Sequence, residues 1–202
     1  MAWQRDEKEE GADALILLEH NSVYTLGRGS TEANIKFDHT SPECPHEVVR
    51  VERGGEVTWH GPGQLVVYPV LDLKYHKQDL HWYLRQLEEV IIGTLDHYGL
   101  KGERDEEHTG VWVGGAKVAA IGLNASRWVT THGFALNVCP DMTNFEGIVP
   151  CGIKDRPVSS MKHLLPEASS VDDVRQTVLA QFQEQFDVDY IEQDAPSPSA
   201  FN

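Results

Sequence analysis

The stretch RGGEVTWHGPGQLVVYPV, residues 53–70, constrains the fold of this chain more tightly than any other. It holds four glycines and two prolines beside a Trp and a His, and the apolar run Leu65-Val66-Val67-Tyr68 follows at once. A turn needs only one or two glycines. So much backbone freedom set directly against a strand-like run implies either a pair of hairpin turns or main chain that a ligand approaches closely. A phosphate loop is disfavoured, because no Gly-Lys-Ser/Thr ends the motif. Arg53, Trp59, His60 and Gln64 in the same stretch favour a loop that lines a ligand.

Around that loop the pattern is one of short strands and two helices. Residues 14–18, 48–51, 56–58 and 65–71 read as strands, with Pro69 marking an edge or a strand end. Asp79 can cap a helix that carries Leu80, Tyr83, Leu84, Leu87, Val90, Ile91, Leu95 and Tyr98 at helical spacing until Gly99. Short strands follow at 110–113, 117–123, 127–131 and 133–138, parted by Gly-Gly, Asn-Ala-Ser and His-Gly turns, as in an antiparallel meander. Ser170 with Asp173 forms a capping-box variant that opens a second helix through Val174, Val178, Leu179, Phe182 and Phe186. With no internal repeat or linker, the expectation is one α+β domain over residues 13–190, after a charged segment 1–12 and before a disordered tail 191–202.

Charge narrows the partners. Lys plus Arg number 17 and Asp plus Glu 32, a net charge of −15, which argues against nucleic acid or an anionic membrane as the main partner. The N-terminal residues lack an apolar signal core and no run reaches transmembrane length, so a soluble protein is expected. Three cysteines without a CxxC pair indicate neither a disulfide framework nor a zinc ribbon, and a reducing compartment is expected.

Two residues stand out for chemistry. Cys151, in VPCGIKDRPV, lies in a polar loop near Lys154 and Arg156, whose charges favour a thiolate; Cys139 reads as an inert strand-end residue. Cys44 with His46 is too small a set for a metal site, and no metal is expected. Lys117 opens an apolar run: at a strand end it would reach for water, whereas pointing inward it would be a candidate acid or base. Periodicity leaves both open. Among the histidines, His60 and His132 are notable because each adjoins glycine and a strand.

Taken together, LLEHNSVYTLGRGS, RGGEVTWHGPGQLVVYPVLDL, GVWVGGAKVAAIGL, THGFALNV and GIVPCGI resemble the lipoyl(octanoyl) transferase family, in its order and at compatible spacings. The resemblance runs from about Leu17 to Met161, and the stretch ahead of Leu17 is shorter than the family's, which leaves one sheet edge open. It implies the fold of lipoate and biotin protein ligases: a mixed, largely antiparallel sheet flanked by helices around an acyl tunnel. By carry-over, Arg53, Gly54, Gly55, Glu56, Val57, Thr58, Trp59 and His60 would line the acyl site, with Ala120, Ile121, Gly122, Gly133, Phe134 and Ala135 as further walls. Cys151 matches the cysteine that carries the acyl thioester and Lys117 the lysine that tunes it.

The activity so implied moves an octanoyl group from acyl carrier protein to a lysine of lipoyl domains of 2-oxoacid dehydrogenases and of the glycine cleavage H protein. It implies no cofactor, a monomer, and a cytoplasmic site, or an organellar one if a transit peptide was removed. Rival readings are an ATP-dependent lipoate or biotin ligase, which needs no cysteine nucleophile, a cysteine thioesterase, and a non-catalytic acyl-binding module. Lys154, Arg156 and Lys162 are candidates for a local basic surface that would meet an acidic carrier protein.

Overall fold

A computed structural model describes residues 13–149, 156–165 and 170–191 of the chain. The expectations for residues 1–12 and 192–202 fall outside the described residues. Among the described residues, eight strands form two sheets. The larger joins β1 (Ala14–Leu18), β5 (Gln64–Val70), β8 (Val129–Asn137), β7 (Ala116–Ser126) and β6 (Val111–Val113) in that spatial order, every pair antiparallel. The smaller places β2 (Val23–Leu26) between β3 (Glu47–Arg50), which is parallel to it, and β4 (Thr58–His60), which is antiparallel. The α+β architecture and the β6–β7–β8 meander are as expected.

One face of the larger sheet is covered by α1 (Leu80–His97) and α3 (Val171–Phe186). Asp79 caps α1 by accepting from the backbone N–H groups of His81 and Trp82, and Tyr83, Leu87, Val90, Ile91 and Leu95 are wholly buried against the strands. Ser170 and Asp173 form the full reciprocal capping box of α3, whose Val174, Val178, Leu179 and Phe182 join the same core. A short helix, α2 (Met161–Leu164), buries Met161 there too.

The other face looks toward the smaller sheet. Alternation along β5 divides its residues: Leu65 and Val67 belong to the helix-side core, while Val66 and Tyr68 line a cavity between the sheets. The smaller sheet has its own core of Tyr24, Leu26, Ile35, Val57, Trp59, Phe145 and Ile148.

Three sequence expectations change. β2 is absent from the sequence reading, although Val-Tyr-Thr-Leu carries the strand period, because four residues are too few to stand out. The strand expected at 56–58 begins at Thr58 and runs to His60. There is no turn at Asn124-Ala125-Ser126 or at His132-Gly133: β7 and β8 pair continuously from Ala119 with Leu136 to Ser126 with Val129. The turn lies at Arg127 and Trp128, which both have positive φ, 50° and 71°, without being glycine. Two-residue hairpin turns of that hand favour Asn-Gly. Replacing Arg127-Trp128 by Asn-Gly is expected to raise unfolding stability by about 1 kcal/mol in a urea melt.

Candidate functional site

The cavity between the sheets has a volume of about 540 Å³. Its floor is the outward face of β5, β7 and β8, with Val66, Ala120, Ile121, Phe134 and Ala135; β2 and β3 supply Val23, Thr25 and Val49 opposite. The glycine loop closes one side. Gly54, Gly55, Glu56 and Thr58 line the space, as do Gly122 and Gly133 across from them.

Arg53 holds this loop in place. Its buried guanidinium donates to the Thr25 carbonyl at 2.6 Å, to Thr25 Oγ1 at 2.8 Å, and to the carbonyls of Glu56 at 2.8 Å and Gly54 at 3.0 Å. The Gly54 N–H donates to the Leu123 carbonyl at 2.8 Å, tying the loop to β7 as well. The loop is thus pinned to both sheets by main-chain groups. Gly63 is needed for a different contact: its φ is +85°, and a Cβ there would sit 2.5 Å from the Cys139 carbonyl oxygen. The glycines of the HGPG turn therefore serve packing within the protein, and those of the RGG turn border the cavity.

Val57 and Trp59 do not line it. Both are buried in the core of the smaller sheet, and the Trp59 indole N–H donates to Ser22 Oγ at 2.9 Å. Glu56 borders the cavity while its carboxylate accepts from Asn34 Nδ2 at 3.1 Å.

Lys117 points inward. It is buried and lines the cavity, with Nζ 5.4 Å from the centroid of the Trp112 ring. Its backbone is paired on the other side with residues that follow Cys151 in the sequence: Lys117 N donates to the Pro157 carbonyl and the Ser159 N–H donates to the Lys117 carbonyl, each at 2.9 Å. Cys151 and Lys154 lie outside the described residues. Arg156 stacks 5.1 Å from the Trp112 ring and is ion-paired with Asp105, so it is engaged within the protein; Lys162 is exposed on α2.

Sequence reasoning missed His20 and Tyr68, and singled out His132 without assigning it to the site. All three line the cavity with His60. His20 Nε2 lies 2.6 Å from the Tyr68 hydroxyl, the His20 and His60 ring centroids are 5.6 Å apart, and His132 meets the Tyr68 ring edge-on at 6.1 Å. The period-two face shared by Val66 and Tyr68 was the available signal for Tyr68; His20, just past β1, gave none. Burial pushes the His60 imidazole down to about 4, with the Arg53 charge and the neighbouring His20 and His132 acting in the same direction. Burial also lowers His20, lowers His132 with help from Arg53, and raises the Tyr68 phenol. The wall carries three neutral imidazoles at neutral pH. Among the described residues, no group of three or more His, Cys, Asp or Glu could hold a metal ion, and no helix is long and apolar enough to cross a membrane.

Residues 2–183 match the lipoyl protein ligase A/B catalytic domain family. The octanoyltransferase of Synechococcus elongatus is 55% identical over 194 residues, covering 93% of this chain and 82% of that protein. A chloroplastic octanoyltransferase of Arabidopsis thaliana is 53% identical over 163 residues, 80% of this chain and 58% of that one. Among solved structures, the bi-partite lipoate protein ligase of an archaeal lipoylation system from Thermoplasma acidophilum superposes with a TM-score of 0.76, covering 92% of this chain and 75% of that one. At 16% identity that likeness concerns the fold, which is the lipoate-ligase fold expected from the sequence.

The neutral His60 makes a prediction about stability. Its folded value, about 4, lies below the ordinary 6.5, so the unfolded chain binds the proton first as pH falls. Stability is expected to drop between about pH 6.5 and pH 4, by up to roughly 3 kcal/mol from this group. Thermal melts across that window should show a smaller drop for His60→Asn.

Proposed function

Because the chain belongs to the lipoyl protein ligase A/B catalytic domain family, we propose that it is an octanoyltransferase, moving an octanoyl group from acyl carrier protein to a lysine of lipoyl domains. The observation that carries this reading is the 55% identity to an octanoyltransferase over most of both chains. The apolar cavity with a buried lysine in its wall supports it.

In this reading the Cys151 thiolate attacks the carbonyl carbon of the octanoyl thioester. The bond to the carrier's sulfur breaks, the Lys117 ammonium protonates that sulfur so that the carrier leaves as a thiol, and an acyl-enzyme thioester remains. The acceptor lysine's amine then attacks that carbonyl, the Cys151 sulfur departs, and an amide forms. Lys117 favours the Cys151 thiolate while that anion is present, and takes the amine's proton once acylation has removed the negative charge. The donor is already activated as a thioester, so the reaction requires neither ATP nor metal. The cavity takes the alkyl chain, with Ala120, Ile121, Phe134 and Ala135 against it. Val57 and Trp59 support the wall from behind.

The acceptors are the lipoyl domains of 2-oxoacid dehydrogenases and the glycine cleavage H protein, and the enzyme acts as a monomer. The reaction belongs in the cytoplasm, or in the organelle that holds the carrier protein, as for the chloroplastic relative.

Intact mass after mixing with octanoyl-acyl carrier protein tests the reading: a gain of one octanoyl group, abolished by Cys151→Ala, is expected. Activity with free octanoate and ATP, and none with the carrier, would establish the ligase chemistry instead. An ordinary thiol is only a few per cent thiolate near neutral pH. Lys117→Ala is therefore expected to slow acylation and to shift the pH profile of Cys151 alkylation by iodoacetamide upward. Lys117→Arg should preserve acylation better than transfer. Superimposable alkylation profiles for wild type and Lys117→Ala would remove Lys117 from the mechanism.

Gly122 allows a test of the cavity wall. A Cβ there would lie 2.9 Å from Arg53 Cδ and 3.1 Å from the Gly54 carbonyl oxygen, so Gly122→Val must push the loop as well as fill space. The expected result is a shift toward shorter acyl donors together with a loss of about 1–3 kcal/mol of stability. Unchanged octanoyl kinetics would show that the chain lies elsewhere.

A further inference from the structure

A chain of buried side chains, running back from His60 in the cavity wall, has hydrogen-bond directions that can be read from its ends. Asn137 lies 3.0 Å from the Ser159 carbonyl; a carbonyl only accepts, so the amide nitrogen of Asn137 is on that side and its Oδ1 is turned to Gln64. Gln64 Nε2 donates to Asn137 Oδ1 at 2.9 Å and to the Trp59 carbonyl at 3.3 Å. Both Gln64 donors are thereby used, and its Oε1 meets His60 Nδ1 at 2.7 Å. An amide oxygen accepts only, so Nδ1 carries the ring proton. His60, Gln64 and Asn137 are all buried, and the two backbone carbonyls leave one consistent assignment. Neutral His60 consequently has a bare lone pair on Nε2, on the ring edge turned away from Gln64.

The acyl chain has no N–H or O–H to offer that lone pair. We propose that His60 Nε2 accepts a hydrogen bond from the acceptor lysine's amine as that amine attacks the acyl thioester, an inference that rests on the octanoyl-transfer reading. The amine uses its lone pair on the carbonyl carbon and gives up one proton to Lys117. Its remaining N–H needs an acceptor in a cavity whose floor is apolar, and His60 offers one on that wall. The other donor that nears a thioester is the amide of the carrier's arm, but it is separated from the sulfur by two carbons and leads away from the acyl cavity.

The charged and titratable groups around His60 suit this role. Arg53, His20 and His132 all oppose its protonation, as burial does, which keeps its value near 4. His60 then accepts without taking the proton. The ring of His20 is occupied with Tyr68.

Two substitutions separate this role from simple support of the fold. His60→Asn keeps an N–H at the Nδ1 position, so the bond to Gln64 can persist, and has nothing at Nε2. His60→Gln puts an amide oxygen near Nε2 and gives up the bond to Gln64. Wild type and both variants are loaded from octanoyl-acyl carrier protein, checked by intact mass, and mixed with excess lipoyl domain in single-turnover assays from about pH 5.5 to about pH 9. Each is loaded to completion before mixing, so that any change in acylation is read separately from transfer. Amide formation should slow roughly tenfold or more in His60→Asn and less in His60→Gln, with no His60-dependent limb between about pH 6 and 7.

A purely structural role reverses the order, making His60→Asn the milder change. Equal transfer by wild type and His60→Asn overturns the inference. So does a loss confined to acylation, which would assign the lone pair to the carrier's arm, and so does a limb near pH 6 to 7 that His60→Asn removes, which would make His60 a titrating base. Failure of the wild type to gain an octanoyl group overturns the octanoyl-transfer reading itself, and is distinguished by occurring before any His60 variant is compared.

Discussion

The cavity exists because one buried guanidinium holds its wall. Arg53 spans from the glycine loop to β2 and is met there by carbonyl and hydroxyl oxygens of Thr25, and on its own loop by the carbonyls of Gly54 and Glu56. Bringing a cation out of water costs several kcal/mol, and strong acceptors must surround it for the fold to tolerate that cost. These acceptors are mainly backbone groups, so the arginine fixes the course of the main chain as much as any side-chain position. The same charge acts on the cavity's chemistry. It opposes protonation of both His60 and His132, helping to keep a histidine-rich wall neutral.

The larger sheet separates stability from chemistry by its alternation. On one face Leu65, Val67 and Leu136 pack against α1 and α3 in a core from which water is excluded. On the other, Val66, Tyr68, Ala120 and Ala135 face an open volume. At the cavity Gly122 and Gly133 face each other in register. A Cβ on Gly133 would meet the Val67 carbonyl oxygen at 2.2 Å, so the constraint there is the neighbouring strand rather than a ligand. Part of what the resemblance assigns to acyl binding is thus a packing requirement of the sheet.

The parts of the fold most legible in the sequence were those determined locally. The period of α1 with Asp79 before it, and the Ser170–Asp173 box before α3, are short-range patterns that tertiary contacts reinforced. The turn at Arg127-Trp128 was hidden because neither residue favours positive φ; long-range pairing of β7 with β8, and the Trp128 carbonyl accepting from Leu73 N, hold it there. At the site, Lys117 was recognisable as a candidate, but its inward direction depended on β7's pairing with Pro157 and Ser159, far along the chain. His20 and Tyr68 meet across 48 residues, and no local spacing encodes that contact.

The acidic surface and the neutral cavity fit one another in the octanoyl-transfer reading. A net charge of −15 draws in a lysine ammonium from a partner domain. At the cavity the Arg53 cation lies beside the uncharged His60, with Glu47, Glu56 and Glu107 also on the border. Beside Arg53 an ammonium is repelled, whereas a neutral amine can enter and, in that reading, finds a lone-pair acceptor at His60. Attraction at long range and neutralisation at short range oppose each other only for a group that remains charged. For an amine that must lose its proton to react, the first step supplies local concentration and the second supplies the reactive form. Burial of the histidines and of Arg53 thus does chemical work without either residue exchanging a proton.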